Sequence, residues 1–254
     1  MCIAALAWQA HPRWVAVLAS NRDEFIERPT EPMHAWATPG GTPIWAGRDV
    51  RAGGTWLAVA AQRLALVTNL RAPAPIAEGT PSRGGLPLAW LDGHPLPAAQ
   101  QWNLLTANWQ TGEAALHSSA LAAALPVAAG GITTLSNGQP PALWPKQRRL
   151  AGFVQTALAA RDVAALTARL QDALADRQVP PPESWPHTGV APEVEGWLAP
   201  IHVAAPDGRY GTRCASVVVV ERLATGALAL HLTERRFATD GTVSGEVTWQ
   251  GMPA

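Results

Sequence analysis

Cys2 is the side chain in this sequence that most directly suggests covalent chemistry. It follows Met1, and a small second residue is what removal of an initiator methionine requires, so we expect Cys2 to begin the mature chain. Its α-amine, with an ordinary pKa of about 7.7 to 8.0, would then lie close to its own thiol, whose ordinary pKa is about 8.5. The two groups could share a proton, so one residue would supply nucleophile and base. Taken alone, the dipeptide Met-Cys favours the simpler interpretation of a small buried residue.

A run of polar residues, SNRDE at positions 20–24, directly follows a predicted buried strand. If the strand of Cys2 pairs antiparallel with this strand, the start of one adjoins the end of the other, and Asp23 becomes a neighbour of Cys2. A carboxylate there would bond the ammonium group or orient the thiol, while Asn21 and Arg22 would contact substrate. A solvated turn with an Asx cap is an equally good interpretation of the same run.

Two asparagines and two arginines also stand where predicted strands or turns end. Asn69 ends a strand and Asn137 lies in a Ser-Asn-Gly turn sequence. Their amides are neutral donors suited to a developing oxyanion, although both positions also suit ordinary turns. Arg235 and Arg236 end the last predicted hairpin, where they would hold a substrate carboxylate or simply form a solvated strand end.

Short apolar runs predict the strands that must position these residues. Four hairpins are expected, formed by residues 3–8 with 14–19, 55–60 with 64–69, 104–109 with 114–117, and 215–222 with 227–233. In the middle of the chain the period changes to that of a helix. Leu150, Val154 and Leu158 share one helical face after Pro145, and a second stripe runs over residues 162–176, with Asp162 as the N-cap.

The order of these elements predicts the fold class. The Pro- and Gly-rich stretch 179–206 is expected to be a long ordered loop, because strands resume after it. Strands early, helices in the middle and strands late predict an α+β fold of two packed sheets with helices outside, forming one domain over residues 1–254.

Composition excludes several classes of protein. Nearly half of the residues are apolar and the formal net charge is zero, which argues against a nucleic-acid-binding protein and against disorder. No signal peptide is expected, because no basic residue precedes the first apolar stretch, and no run approaches the roughly 18 residues of a membrane span. The two cysteines form no disulfide framework. We expect a cytoplasmic protein whose partner is a small molecule, with no metal site and no required cofactor.

Seven short motifs resemble one known family in order along nearly the whole chain. They are MCI at residues 1–3, NRDE at 21–24, GGTW at 53–56, TN at 68–69, LSN at 135–137, YGTR at 210–213 and TERR at 233–236. The sequence is therefore identified as similar to the NRDE family, also called the transport and Golgi organisation 2 family.

That family in turn resembles the choloylglycine hydrolase and penicillin V acylase branch of the N-terminal-nucleophile (Ntn) hydrolases. The resemblance implies a four-layer αββα sandwich of antiparallel sheets and an N-terminal cysteine that cleaves amides. It also implies roles for individual residues of this chain: Cys2 as nucleophile, Asp23 beside it, Asn69 and Asn137 at the oxyanion, and Arg235 or Arg236 as a late active-site arginine.

One position departs from the acylase pattern. The acylases carry an arginine where this chain has Ala19 or Ser20, and Arg22 supplies an arginine at a different place. If the strand continues, the side chain of Arg22 points to the opposite face from those of its two neighbours. The resemblance therefore implies acylase machinery that is largely present and altered at this position, and a fold can persist where its chemistry has changed.

Two functions, an enzyme and a carrier, follow from the resemblance, and a scaffold without either activity is a third possibility. The enzyme would be a cysteine amidohydrolase or acylase acting on an amide or thioester of an apolar or amphipathic small molecule. The carrier would bind haem, lipid or acyl-CoA in the same cleft, with haem as a possible ligand. The candidate ligands of the iron are then Cys2, His34, His187 and His202, although no CxxCH motif is present.

Overall fold

The computed structural model describes residues 2–72 and 75–252, which form thirteen strands and four α-helices. The strands are β1 (Cys2–Trp8), β2 (Trp14–Phe25), β3 (Thr30–Ala37), β4 (Pro43–Asp49), β5 (Leu57–Val59), β6 (Arg63–Asn69), β7 (Trp102–Asn108), β8 (Glu113–Ser118), β9 (Leu125–Pro126), β10 (Gly131–Leu135), β11 (Tyr210–Arg222), β12 (Leu228–Phe237) and β13 (Val243–Gly251). The helices are α1 (Gly85–Leu91), α2 (Pro145–Ala157), α3 (Val163–Leu174) and α4 (Pro192–Leu198). The predicted removal of Met1 concerns a residue outside the described range.

The strands form two antiparallel sheets, as the sequence predicts. The first sheet has six strands in the order β10-β1-β2-β11-β12-β13, and the second has seven in the order β3-β4-β5-β6-β7-β8-β9. The α+β fold of two packed antiparallel sheets is thereby confirmed.

Alternation along β1 shows why the first sheet is buried on both faces. Leu6 and Trp8 pack into the core between the two sheets. Ile3 and Ala5 point the other way, into a second core beneath α2 and α3. Because side chains alternate across a strand, a strand with helices on one face and a sheet on the other reads as a continuous apolar run.

Helices cover the outer face of each sheet and complete four layers. Leu150 and Val154 of α2 lie in the core shared with the first sheet, together with Leu166 of α3. Asp162 caps α3, accepting a hydrogen bond of 2.8 Å from the backbone N–H of Ala165, as the sequence predicts. On the opposite side, α1 packs its leucines against the second sheet.

The second strand is longer than the sequence predicts. We expect β2 to end near residue 19 and the polar run 20–24 to follow it, but β2 continues to Phe25. The reason is its partner: β11 begins at Tyr210 and pairs with β2 in register through Gly211–Glu24 and Thr212–Asp23. A paired backbone stays extended whatever the polarity of its side chains, because the ladder satisfies its N–H and C=O groups.

Several elements carry no clear sequence signal. Strands β3 and β4 each contain Pro, and α1 is a single short helix. The predicted loop 179–206 contains a 3₁₀ turn, Pro182–Ser184, and α4. These elements depend on tertiary packing more than on local pattern.

Strand ends from both sheets meet at one end of the sandwich. Cys2 begins β1 and pairs in register with Arg22 near the end of β2. Asn69 ends β6 of the second sheet. Thr68 joins the two sheets there, since its Oγ1 donates a hydrogen bond of 2.6 Å to the carbonyl of Ser136, which follows β10. The predicted site residues of the first 137 positions therefore converge on this end.

Candidate active site

Cys2 lines a cavity of about 110 Å³ at this end of the sandwich. Its side chain is 8 % exposed, whereas the other residues of β1 are at most 1 % exposed. The backbone carbonyl of Cys2 accepts a hydrogen bond of 3.1 Å from the Oγ of Ser136, which fixes the strand end. The lining is polar: Cys2, Arg22, Asp23, Glu24, Arg28, Asp49, Thr55, Trp56, Val67, Asn69, Ser82, Arg83 and Gly84.

Asp23 lies beside Cys2 in this cavity, as strand pairing predicts. The carboxyl group is 1 % exposed, and its Oδ1 accepts a hydrogen bond of 2.7 Å from Thr212 Oγ1. The Tyr210 hydroxyl donates to the backbone carbonyl of Asp23 at 2.8 Å. Burial raises the pKa of Asp23 above its ordinary value, and the charge of Lys146 is the first of the effects that oppose this rise.

Burial also raises the pKa of the Cys2 thiol. The Asp23 carboxylate adds to this rise, while Arg22 and the backbone N–H of Asp23 favour the thiolate. A thiol with a raised pKa is protonated at neutral pH, so any nucleophilic attack by Cys2 needs a nearby base to take its proton.

Asn21 and Arg22 point to opposite faces of β2, as the alternation predicts. Asn21 Nδ2 donates to the carbonyls of Leu174 at 2.8 Å and Ile201 at 3.0 Å, beneath the helices. Its amide therefore ties β2 to the helical layer, and Asn21 does not line the cavity. The structure gives no support to its predicted contact with substrate.

Arg22 lies on the cavity side, where it is almost fully buried. Its guanidinium stacks on Trp56, with Cζ 4.3 Å from the ring centre. Nη1 donates to Thr30 at 3.0 Å and Nη2 approaches Asp49 at 3.4 Å, while Arg28 holds the same carboxylate at 2.6 Å. Arg22 is thus fixed in the wall of the cavity by several partners.

The two asparagines take different positions. Asn69 lines the cavity at the end of β6. Asn137 is fully buried behind it, where its Nδ2 donates a hydrogen bond of 2.8 Å to the backbone carbonyl of Asn69. The amide of Asn69 is therefore placed to meet a ligand directly, and Asn137 holds Asn69 in place.

The two late arginines do not join Cys2. Arg235 forms an ion pair of 2.8 Å with Glu246 across the β12–β13 pair, and Arg236 lies opposite Gly245 on the same pair of strands. Neither lines the cavity. Their predicted contact with substrate therefore has no geometric support, because β11 stands between β12 and the strands that carry Cys2 and Asp23.

Two basic residues near Cys2 are absent from the sequence prediction. Arg83, in the loop before α1, lines the cavity and donates a long hydrogen bond of 3.4 Å to the carbonyl of Gln101. Lys146, in the first turn of α2, is 3 % exposed and interacts electrostatically with Asp23 and Cys2. Neither belongs to a recognised motif, but Lys146 did carry a signal, since it is the one lysine among 19 basic residues.

The histidines suggested as haem ligands lie elsewhere. His34 is partly exposed beside Glu31, and His187 is exposed on the loop before α4. His202 is buried against Phe237, with its Nε2 3.3 Å from an Nη2 of Arg177, and burial lowers its pKa to about 4. None of the three lines the cavity, and no cluster of three or more His, Cys, Asp or Glu residues suited to a metal ion occurs among the described residues.

Comparison with known proteins agrees with the motifs. A family model described as Transport and Golgi organisation 2 matches residues 1–239. The chain belongs to this family. No curated protein matches the chain closely enough to add a named relative. Within the described residues, no helix is both long and apolar enough to cross a membrane. Membership of the transport and Golgi organisation 2 family establishes no reaction, so the chemistry must be argued from the site.

Proposed function

We propose that this protein is an N-terminal-nucleophile cysteine acylase or amidohydrolase that acts on an amide or thioester of an amphipathic small molecule. The observation that carries the proposal is the position of Cys2, which begins a core strand and opens into a polar cavity beside Asp23 and Asn69. Removal of Met1 would give Cys2 the free α-amine that this chemistry needs.

The arrangement supports a two-step reaction. The α-amine takes the thiol proton, and Cys2 Sγ attacks the carbonyl carbon of the substrate to form a tetrahedral oxyanion. The bond from that carbon to nitrogen or sulfur breaks, and the leaving group takes the proton from the α-ammonium. Water then attacks the thioester while the amine accepts a proton, and the carboxylic acid leaves as Cys2 regains its thiol.

Asp23 and Asn69 have separate roles in this scheme. Asp23 is a buried carboxylate next to the strand end, where it would hold the α-amine and stabilise its protonated form. Asn69 presents a neutral amide to the cavity, and such a donor stabilises an oxyanion without a change of charge. Asn137 would act through Asn69, whose backbone carbonyl it binds.

The size and polarity of the cavity favour an amphipathic substrate. A volume of about 110 Å³ accommodates the reacting group and a few atoms around it, and Arg83 offers a cation there. An apolar groove of about 530 Å³ lies between β9, β10 and α2, and Ser136, which binds the carbonyl of Cys2, is among its lining residues. This groove provides apolar space for the rest of such a molecule.

A carrier of haem, lipid or acyl-CoA is the second candidate, and two observations favour it. The position of the acylase arginine falls at Ala19 or Ser20, both buried and uncharged, and Asn137 is committed to a backbone carbonyl. If these differences abolish catalysis, the cavity would bind a ligand without cleaving it. Haem binding by the full chain, seen as a Soret band that Cys2→Ala removes, would support the carrier.

Covalent acylation tests the enzyme. The full chain is incubated with a β-lactam or an activated acyl-amide probe, and the modified peptide is identified by mass spectrometry. We expect one acyl group on Cys2, its loss in Cys2→Ala, and unchanged labelling in Cys214→Ala, which alters the other free cysteine of the chain. Absence of label on Cys2, or label on Cys214 alone, would overturn the proposal.

A further inference from the structure

The chain contains one lysine, and that lysine is buried. Of 19 basic residues, 18 are arginines, and only Lys146 is a lysine. Lysine is almost always exposed in folded proteins unless its ammonium group is paired. Lys146 is 3 % exposed in the first turn of α2, directly after Pro145, at the end of the sandwich that carries Cys2. Such a placement requires a partner for the charge.

The neighbours of Lys146 form an enclosed polar cluster. Its Nζ donates a hydrogen bond of 3.0 Å to the carbonyl of Leu198, the last residue of α4. Arg71 and Glu195 form an ion pair of 2.9 Å in the same small space. The charged groups of Arg71 and Lys146 both lie over the ring of Trp144. Because Glu195 is already paired with Arg71, the cluster leaves Lys146 in need of a further negative charge.

Asp23 lies on the same side of the first sheet, against the same stretch of chain. Lys146 donates to the carbonyl of Leu198. Thr212 donates to Asp23, and it accepts a hydrogen bond of 2.9 Å from the N–H of Val203. The segment 198–203 therefore contacts Lys146 at one end and, at the other end, the Thr212 hydroxyl that donates to the Asp23 carboxylate. Both charged groups are buried beneath the helical layer, where few water molecules screen them.

The electrostatics of the two groups agree with this geometry. Burial lowers the pKa of Lys146 to about 8, and Asp23 is the strongest of the effects that raise it again. The other groups that act on Lys146 are Arg71, which lowers its pKa, and Cys2 and Glu195, which raise it. In turn, Lys146 is the strongest of the effects that hold down the pKa of Asp23.

We propose that Lys146 is the buried charge partner of Asp23 and that it keeps this carboxylate ionised beside Cys2. Lys146 does not line the cavity, so it is a positioning residue that acts through Asp23. The inference deepens the proposed function, because an ionised Asp23 is what the α-amine of Cys2 needs. Without the lysine, a carboxyl group buried to this extent would take up a proton closer to neutral pH.

A single lysine makes the test direct. Full-length protein labelled with [¹³Cε]lysine gives one lysine resonance, and its titration reports Lys146. We expect a midpoint near 8 that falls by at least about one pH unit in Asp23→Asn, because the opposing charge is lost. Glu24→Gln removes the next carboxylate along β2 and serves as the matched control, with the midpoint unchanged. An ordinary lysine midpoint, or one that Asp23→Asn leaves in place, would overturn the inference.

The pH dependence of Cys2 acylation forms the second arm. In Lys146→Gln the acidic limb of the acylation profile should move to higher pH by about one unit, and Lys146→Arg should restore it. A purely structural lysine would lower the melting temperature in Lys146→Gln without moving this limb. If the wild-type protein is not acylated at all, the proposed function fails, while the lysine titration still decides whether Lys146 and Asp23 are coupled.

Discussion

The two free cysteines of this chain have closely related positions and different surroundings. Cys2 pairs with Arg22 across β1 and β2, and Arg22 pairs with Cys214 across β2 and β11, so the two thiols flank one arginine. Two strand spacings separate them by roughly 10 Å, which is too far for a disulfide. Cys2 opens into a polar cavity beside Asp23, whereas Cys214 is packed in the core between the sheets next to Glu234.

This difference shows what makes a cysteine a candidate nucleophile. Both thiols have a raised pKa because both are buried, and the pKa of Cys214 is raised further. Each has a carboxylate nearby, but Glu234 is tied to the backbone N–H of Met33 at 2.8 Å, deep between the sheets. Access to the cavity therefore distinguishes Cys2, as would the free α-amine that we propose for it after loss of Met1, and neither burial nor an acidic neighbour does so.

The largest effect should come from replacing the carboxylate beside a cysteine with a neutral amide, at Asp23 for Cys2 and at Glu234 for Cys214. Asp23→Asn removes the charge that we propose holds the α-amine, and we expect Cys2 acylation to slow by about 10² to 10³-fold. Glu234→Gln makes the same change beside Cys214 and should alter the rate by less than about threefold. Stopped-flow or quenched-flow acylation of both variants measures this, and equal slowing in the two would remove the distinction between the cysteines.

Substitution of the two asparagines should distinguish a residue that contacts the substrate directly from one that acts through its neighbour. Asn69→Ala removes the amide that faces the cavity, and we expect acylation to slow by about 10²-fold. Asn137→Ala should slow it less and lower the free energy of unfolding by about 1 to 3 kcal/mol, because a buried hydrogen bond is lost. Acylation rates and urea denaturation of both variants provide the comparison. A larger catalytic loss in Asn137→Ala would reverse these assignments.

Substitution of two arginines should show whether a place in the cavity or membership of the TERR motif predicts binding of a substrate carboxylate. Arg83→Met removes a cation from the cavity, and we expect KM for a probe that carries a carboxylate to rise by about tenfold. Arg235→Met alters a residue of the TERR motif that is paired with Glu246, and KM should stay unchanged. Steady-state kinetics with charged and neutral probes check this, and the opposite pattern would favour the motif over the geometry.

The smallest expected effect is a difference in pH dependence between the thiols. Because burial raises the pKa of both, alkylation by iodoacetamide should increase with pH and reach its midpoint above the ordinary thiol value. Cys2 should react first, and Cys214 only at higher pH or on unfolding. Rates measured by peptide mass spectrometry between pH 6 and 10 test this order, which faster reaction of Cys214 would contradict.

Strand pairing explains how much of the site is predictable from sequence. The hairpin of β1 and β2 follows from two apolar runs, and antiparallel pairing alone then makes Cys2 and Asp23 neighbours. The helical stripes of α2 and α3 are equally clear, because apolar side chains recur along one face of each.

Residues that reach the site through tertiary packing are not predictable in this way. Arg83 comes from an irregular loop and Lys146 from the first turn of a helix, and no local period relates either one to Cys2. The partners of Asn21 also come from tertiary packing: β2 continues to Phe25, and the amide of Asn21 binds two backbone carbonyls beneath the helices. Composition alone marks Lys146 as unusual, because it is the one lysine of the sequence, but the pattern of apolar residues does not indicate it.

The state of the α-amine is the central question, and intact mass measures it most directly. Full-length protein produced in cells is analysed by mass spectrometry, with sequencing of the first residues. The account predicts a chain shorter by Met1, with a free amine on Cys2. Quantitative retention of Met1, or a blocked Cys2 amine in protein that is fully active, would contradict the proposed mechanism.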